Sequence, residues 1–441
     1  MTAEFAHAAG RRGARGGDGD ASTPHDNHLK RVRWSPDGVC LLTCGAEDNT
    51  FRVYDVHPDA CERAVATNRR DATTNATTSA SGDGVVPHHD ALWPALRIKE
   101  HESVHDYAWY PRMTATDQAT CVFASTSRAT PIHLWDAVTG SLCASYIAYD
   151  HLDEPVAACA VAFSGDGARI FAGYDKRVRV WDASRPGRDC DEWKTNDGRR
   201  RGSGGSGGGQ TGLLSCLATS PLGSPHALLA AGSYDKTVGI YHEATGERIA
   251  VLSGHAGGVT HARWSPCGCY LYTAARRDDA MLCWDVRGGS GGGSGGGAVY
   301  RMRRRARMTN QRIGFDVEPC GRHLVSGGED GVLRAYDLTT GEEAGAWRGA
   351  SDVVSDWAFH PGASFAAPAP AGGNGVVGGV PRGASVSGCR HFRSRADSES
   401  ESESDADADA DEEGKAAAAA DEGPTNALRV WDYSTVVVPV A

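Results

Sequence analysis

One stretch of the chain sets a histidine, a hydroxyl and a carboxylate in an order that suggests acid–base chemistry. Gly254-His255 is followed by Thr273, by Asp278 or Asp279, and by Trp284. An imidazole oriented by a carboxylate and facing a hydroxyl is the arrangement that activates a nucleophile in acyl transfer. The sequence lacks the strained nucleophile turn, such as GxSxG, that would present the hydroxyl to a substrate. His255, Thr273, Asp279 and Trp284 are therefore expected to form a structural network in which buried polar groups satisfy one another.

Other apparent motifs fail on context. Gly207 to Gly212 spells GxGxxG inside a Gly-Ser tract, without the preceding strand and following helix that a dinucleotide site needs. His88-His89-Asp90 and Cys267-Gly268-Cys269 each lack a second pair at metal-ligand spacing. With no paired carboxylates and no phosphate loop either, the expectation is a protein that is not an enzyme, binds no metal and needs no cofactor.

Cations carry more. Arg128, Lys176, Arg177, Lys236, Arg276 and Arg277 fall in short connections between strand-like runs, and Arg312 follows Asn310-Gln311. A ring of such residues would suit phosphates, and arginine also stacks on unpaired bases and bonds their edges, which favours a single-stranded RNA loop over a duplex. The same residues also fit ordinary solvated loops. Arg301, Arg303, Arg304, Arg305 and Arg307 form a separate basic cluster, which reads as a nuclear-import signal, an RNA-contacting arm or a solvated loop. Acids follow the serines from Ser398 to Ser404, as in substrates of acidophilic kinases, and phosphorylation there would add negative charge able to mask a basic rim.

The elements that position these residues are strands. Seven aliphatic or β-branched runs end in an aromatic: Tyr54, Trp135, Trp181, Tyr241, Trp284, Tyr336 and Trp431, six of them followed by Asp. Tight turns at Ser35-Pro36-Asp37-Gly38, Ser164 to Gly167, Ser265 to Gly268 and Glu318 to Gly321 separate the first and second strands of successive units. Units of about 40 to 45 residues with four strands each cannot bury their faces alone and must stack. The fold class is thus all-β, a seven-bladed WD40 β-propeller over 29–441 with a flexible N-terminal arm at 1–28. The connections bearing Arg128, Lys176, Lys236 and Arg276 would then open on one rim.

Disordered insertions are expected at about 61–90, 194–210, 287–298 and 366–424, where Gly, Ser, Ala and acidic residues leave too little apolar surface to offset ordering entropy. Either the β-prone Thr435 to Val440 or the N-terminal arm would supply the outer strand of the last blade. The net charge of −11 is local: ten acidic groups lie between Asp397 and Glu413, and removing those ten leaves −1. A basic face on a nearly neutral body is compatible with that balance. Thirteen scattered cysteines and no apolar leader or membrane-length span point to a soluble intracellular chain with reduced thiols.

Several stretches go beyond what blade packing requires. His105 to Tyr110, Ala124 to Asp136, Ala148 to Glu154, Arg179 to Asp182, Ser184 to Cys190, Gly254 to His261, Leu282 to Asp285 and Thr309 to Ile313 resemble the telomerase Cajal body protein family, a WD40-repeat family. The resemblance spans residues 29 to 360 and implies a non-enzymatic, monomeric RNA-binding scaffold. Its RNA would be the CAB box of small Cajal body RNAs and telomerase RNA. Its partners would be box H/ACA ribonucleoprotein with dyskerin, telomerase and coilin, and its place the nucleus and Cajal body, with a cytoplasmic pool. The Gly-Ser insertions, the acidic insert and the short arm depart from the family and bear most on the coilin contact. The alternative is a substrate receptor of a cullin-RING ubiquitin ligase, since Trp284-Asp285-Val286-Arg287 fits WDxR.

Overall fold

Side chains alternate between the two faces of a strand, and in this chain both faces are apolar. Leu41 packs toward one neighbouring sheet while Leu42 packs toward the other, and both are fully buried. In the computed structural model this alternation is used seven times. The structure describes residues 5–8 (backbone only), 27–56, 93–196, 209–287, 297–362, 383–389 and 427–431.

Seven four-stranded antiparallel sheets form the blades. Their innermost strands, in chain order, are Leu29–Trp34, Val104–Trp109, Ala160–Phe163, Leu214–Thr219, Val259–Trp264, Phe315–Val317 and Val354–Phe359. Each packs on the next around a central channel. Seven core clusters each join two adjacent blades, for example Phe51 of blade 1 with Tyr107 and Phe123 of blade 2, and Tyr272 of blade 5 with Phe315 of blade 6. The hydrophobic core therefore lies between blades, which is why no blade is a stable unit by itself. Five of the strand-ending aromatics, Tyr54, Trp181, Tyr241, Trp284 and Tyr336, are almost wholly buried in these seams.

Indole donors run the same way around the ring. The Nε1–H groups of Trp34, Trp109 and Trp264 donate across the seam to the carbonyls of Ala358, Arg33 and Ala218, at 3.2, 3.3 and 2.9 Å. Inner-strand tryptophans thus fix the stagger of neighbouring blades, because a buried N–H must find an acceptor.

Ring closure comes from the N-terminal arm. Phe5–Ala8 pairs antiparallel with Ala427–Trp431 and is the outer strand of blade 7. The competing segment, Thr435 to Val440, lies outside the described residues.

Two expected insertions are narrower than composition implied. Gly383–Ser387 is the buried second strand of blade 7, inside the tract drawn at 366–424. A side chain at Gly383 would meet the Trp357 ring, and the Gly-Ala-Ser-Val-Ser strand reads like the linker around it. The tract at 194–210 is closed at its ends: buried Thr195 and Gln210 pair through their backbones, and the Gln210 side chain bonds Ala231, Thr237 and Tyr241.

Candidate nucleic-acid interface

The turns joining second to third strands share one rim. Each docks on the loop leading into an innermost strand, as in the bonds from the amides of Arg128 to Ser103 O, Lys176 to Gly212 O and Arg276 to Gly258 O. Most are tightened by an aspartate that accepts the amide two residues on, seen at Asp48–Thr50, Asp235–Thr237, Asp278–Ala280 and Asp330–Val332. The turns also need a left-handed residue. Blade 6 uses Gly331 at φ 73°, whereas Lys176, Lys236 and Arg277 adopt φ of 56°, 73° and 52°. A side chain in that conformation costs about 1 kcal/mol or more, yet three neighbouring blades place a cation there.

Arg276 and Arg312 are brought together by Tyr234, a residue outside the sequence motifs. The Arg276 guanidinium lies 5.0 Å from the ring centre of Tyr234 and donates to its hydroxyl at 3.1 Å. Arg312 donates to the same hydroxyl at 3.0 Å and also approaches His105 O, on blade 2, at 3.4 Å. Two cations therefore meet at a neutral phenol, and Arg312 links the loop before blade 6 to blade 2. The repeated Tyr-Asp-Lys at 174–176 and 234–236 was the available signal for Tyr234. Lys30, also outside those motifs, anchors on Ser103 Oγ and Val104 O at 3.2 and 3.0 Å.

The remaining cations divide. Arg128, Lys176, Lys236 and Arg277 are exposed, with Lys176 3.5 Å from Asp175. Arg177 points to the outer strand of its blade, where Glu192 accepts from it at 2.8 and 2.9 Å, and it takes no part in the Tyr234 group. Within the basic cluster, Arg301, Arg303, Arg305 and Arg307 are exposed, but Arg304 is buried. Strand alternation turns Arg304 inward, where it donates to Ile313 O and Ala275 O at 2.7 and 3.0 Å, and burial pulls its pKa down to about 10. An import signal or RNA arm cannot use it in this position. Arg287 of the WDxR pattern is exposed and tied to Asp285 and the Tyr270 hydroxyl at 2.6 and 2.9 Å.

In the His255 network the carboxylate is Asp278, which corrects the assignment to Asp279. Asp278, not Asp279, stands two residues before Ala280 at the start of the third strand and accepts its amide, the same offset as Asp48 and Asp235 in their turns. His255 Nδ1 lies 3.0 Å from Asp278 Oδ2, and its Nε2 lies 2.8 Å from Thr273 Oγ1, which also accepts from Trp284 Nε1 at 2.8 Å. Burial pushes the Asp278 carboxyl up, but hydrogen bonds from His255 and the amides of Ala256 and Ala280 outweigh it and hold the pKa at about 2. The geometry is that of a triad, but Thr273 is fully buried and its hydroxyl is shared with an indole.

Below the rim the channel is tied across its middle. Arg31 of blade 1 pairs with Asp106 of blade 2 and places its second terminal nitrogen 3.2 Å from His261 Nδ1 on blade 5. Since a guanidinium only donates, Nδ1 is the acceptor and Nε2–H donates to Phe315 O at 2.8 Å. Burial, then repulsion from Arg31, Arg33 and Arg263, puts the His261 pKa well below its ordinary value.

Comparison with known proteins agrees with this architecture. The "WD domain, G-beta repeat" family matches residues 21–55, 144–182 and 246–285. The chain is 39% identical over 318 residues to Telomerase Cajal body protein 1 of Rattus norvegicus, covering 72% of this chain and 52% of that protein. It is 38% identical over 316 residues to Telomerase Cajal body protein 1 of Homo sapiens, covering 72% and 50%. It is also 28% identical over 328 residues to the guanine nucleotide-binding protein negative regulator 1 of Schizosaccharomyces pombe, covering 70% of each. The chain thus spans about half the length of the two Cajal body proteins.

Proposed function

We propose that this chain, a WD40-repeat propeller homologous to the proteins named Telomerase Cajal body protein 1, is a scaffold that binds the CAB-box loop of small Cajal body RNAs and telomerase RNA. In this reading it carries box H/ACA particles with dyskerin, and telomerase, to Cajal bodies in the nucleus. The observation that carries the RNA reading is the Arg276–Tyr234–Arg312 group, flanked by Lys236 and Arg277, whose cations have no carboxylate partner among the described residues.

The residue types fit unpaired RNA. Arg312 and Arg276 offer planar donors to a phosphate or a base edge, and Tyr234 offers an aromatic surface beside them. Exposed Arg128, Lys176, Lys236 and Arg277 would meet the backbone on either side. Phosphate contacts supply affinity and base stacking in the loop supplies selectivity.

The test is binding of a CAB-box hairpin and a loop-substituted hairpin to the whole chain at near-physiological salt. The proposal expects tighter binding of the intact loop, and equal affinity for both hairpins sinks it. Recovery of a ligase adaptor without box H/ACA RNA would instead favour the WDxR reading.

A further inference from the structure

The turns that join first to second strands hold an anion in blades 1 and 3. The Ser35 and Ser164 hydroxyls donate to Asp37 and Asp166, and the amides of Val39 and Ala168 donate to the same carboxylates at 3.1 and 3.0 Å. One hydroxyl and one amide thus form a small cradle for negative charge. Those two donors hold the Asp166 carboxyl below its ordinary range. In blade 5 the residue at that position is Cys267, and in blade 6 it is Cys320.

Blade 5 keeps the cradle around a sulfur. Ser265 Oγ accepts the Tyr270 amide at 2.9 Å, as Ser35 and Ser164 accept the amides of Cys40 and Arg169, which leaves its proton for Cys267 Sγ at 3.2 Å. Gly268, at φ 69°, turns the chain so that Cys269 folds back, its Sγ 3.6 Å from Cys267 O. Partial burial pushes the Cys267 thiol up, but hydrogen bonds from the Ser265 hydroxyl and from the amide and thiol of Cys269 outweigh it and bring the pKa below its ordinary value. Cys269 moves the other way, raised by burial and by the Cys267 sulfur. Blade 6 reverses the cradle, because Glu318 stands in the serine position, and burial and then that carboxylate hold the Cys320 thiol up. Cys267 is exposed and Cys269 is half-buried beside it.

We infer that Cys267 and Cys269 form a redox-modification site, at which a hydroperoxide oxidises the pair to a disulfide across the blade 5 turn. The thiolate is the form that attacks a peroxide, and the cradle favours it at Cys267. Its sulfur takes one peroxide oxygen: the S–O bond forms, the O–O bond breaks, and the departing hydroxide takes up the proton that Cys267 lost. Cys269 Sγ then attacks the sulfenic sulfur, so that the S–S bond forms, the S–O bond breaks and the hydroxyl leaves as water with the Cys269 proton. Two thiols and one hydrogen peroxide thereby give one disulfide and two waters, and a thiol reductant restores both thiols. Two residues apart across a tight turn, the pair lies within the Cα separation that a disulfide spans. Among the described residues no group of three His, Cys, Asp or Glu able to hold a metal ion includes the pair, which favours a bond between its own sulfurs. The turn joins the first and second strands of its blade and so lies on the face opposite the cationic rim, apart from the RNA reading.

The experiment treats the whole reduced chain with one equivalent of hydrogen peroxide, alkylates the remaining thiols and maps them by mass spectrometry after trypsin, which releases residues 264–276 with both cysteines. The expected product is that peptide two hydrogens lighter, unalkylated and restored by dithiothreitol. It should form about tenfold or more faster than exposed Cys143 and Cys320 are oxidised, as a lowered thiol pKa supports. Cys269→Ser should leave Cys267 as a sulfenic acid that dimedone captures. Cys267→Asp, which restores the residue type of blades 1 and 3, should keep a native circular dichroism spectrum and leave Cys269 unoxidised. The unsubstituted chain decides the matter even if a variant misfolds. A Cys267–Cys320 cross-link, oxidation of Cys143 or Cys320 as fast as the pair, Cys267 carried to sulfinic acid with Cys269 still alkylated, or an unchanged 264–276 peptide overturns the inference.

Discussion

The channel and the rim above it are both rich in arginine, but the partners differ. In the channel Arg31 meets Asp106, Arg33 approaches Asp356 and Arg263 holds Asp316, so cations and acids are equal in number. On the rim Arg276 and Arg312 converge on a phenol that cannot neutralise them. Cation density alone therefore does not mark the RNA-facing surface. The counter-charge left unfilled does, because only such a cation gains a new anion without first giving one up.

Breaking the channel should have the largest effect. Arg31→Leu leaves Asp106 buried without its partner and should cost about 3–5 kcal/mol in urea unfolding, reducing RNA binding only through loss of folded protein. Asp278→Asn weakens the His255 network and should cost about 2 kcal/mol, consistent with a carboxyl held near 2 against about 4 when unfolded. That contribution is present above pH 4 and fades as pH falls toward 2.

On the rim the expected result is reversed. Arg276→Gln combined with Arg312→Gln should lower CAB-box affinity by about tenfold or more and reduce the salt slope by about 1.4, with little change in the urea midpoint. An unchanged slope would mean that the RNA lies elsewhere. Acid distinguishes the regions again. His261 has a lowered folded pKa, so below about 6.5 the unfolded chain takes up a proton that the folded chain refuses, and stability falls by up to about 1.4 kcal/mol per pH unit. His105 and His360 are lowered too and act in the same direction. His261→Gln should flatten the slope between pH 6.5 and 5. The smallest effect is expected from Arg177→Gln, which opens an exposed pair with Glu192 and should change stability by less than about 1 kcal/mol and RNA affinity hardly at all.

Much of the fold was legible because it depends on local pattern. The aromatics at Tyr54, Trp181 and Trp284 and turns such as Ser35 to Gly38 record strand ends and hairpins that form wherever those residues occur. Gly383–Ser387 was not legible, because a strand of small residues packed under Trp357 has the composition of a linker. Arg304 shows the same limit in the candidate interface. Its neighbours suggested an exposed basic run, and only the position of the outer strand of blade 5 shows which side chains turn inward.

The sequence by itself determined seven repeated units, their order and the loops that carry the rim cations, since hydrophobic alternation and turn chemistry act between near neighbours in the chain. Tertiary structure decided which cations have counter-charges. Arg31 finds His261 at 230 positions' separation and Arg312 finds Tyr234 at 78. Ring closure through Phe5–Ala8 is equally non-local. Such contacts exist only once the blades stack, because the electrostatics of a side chain depends on what surrounds it in space.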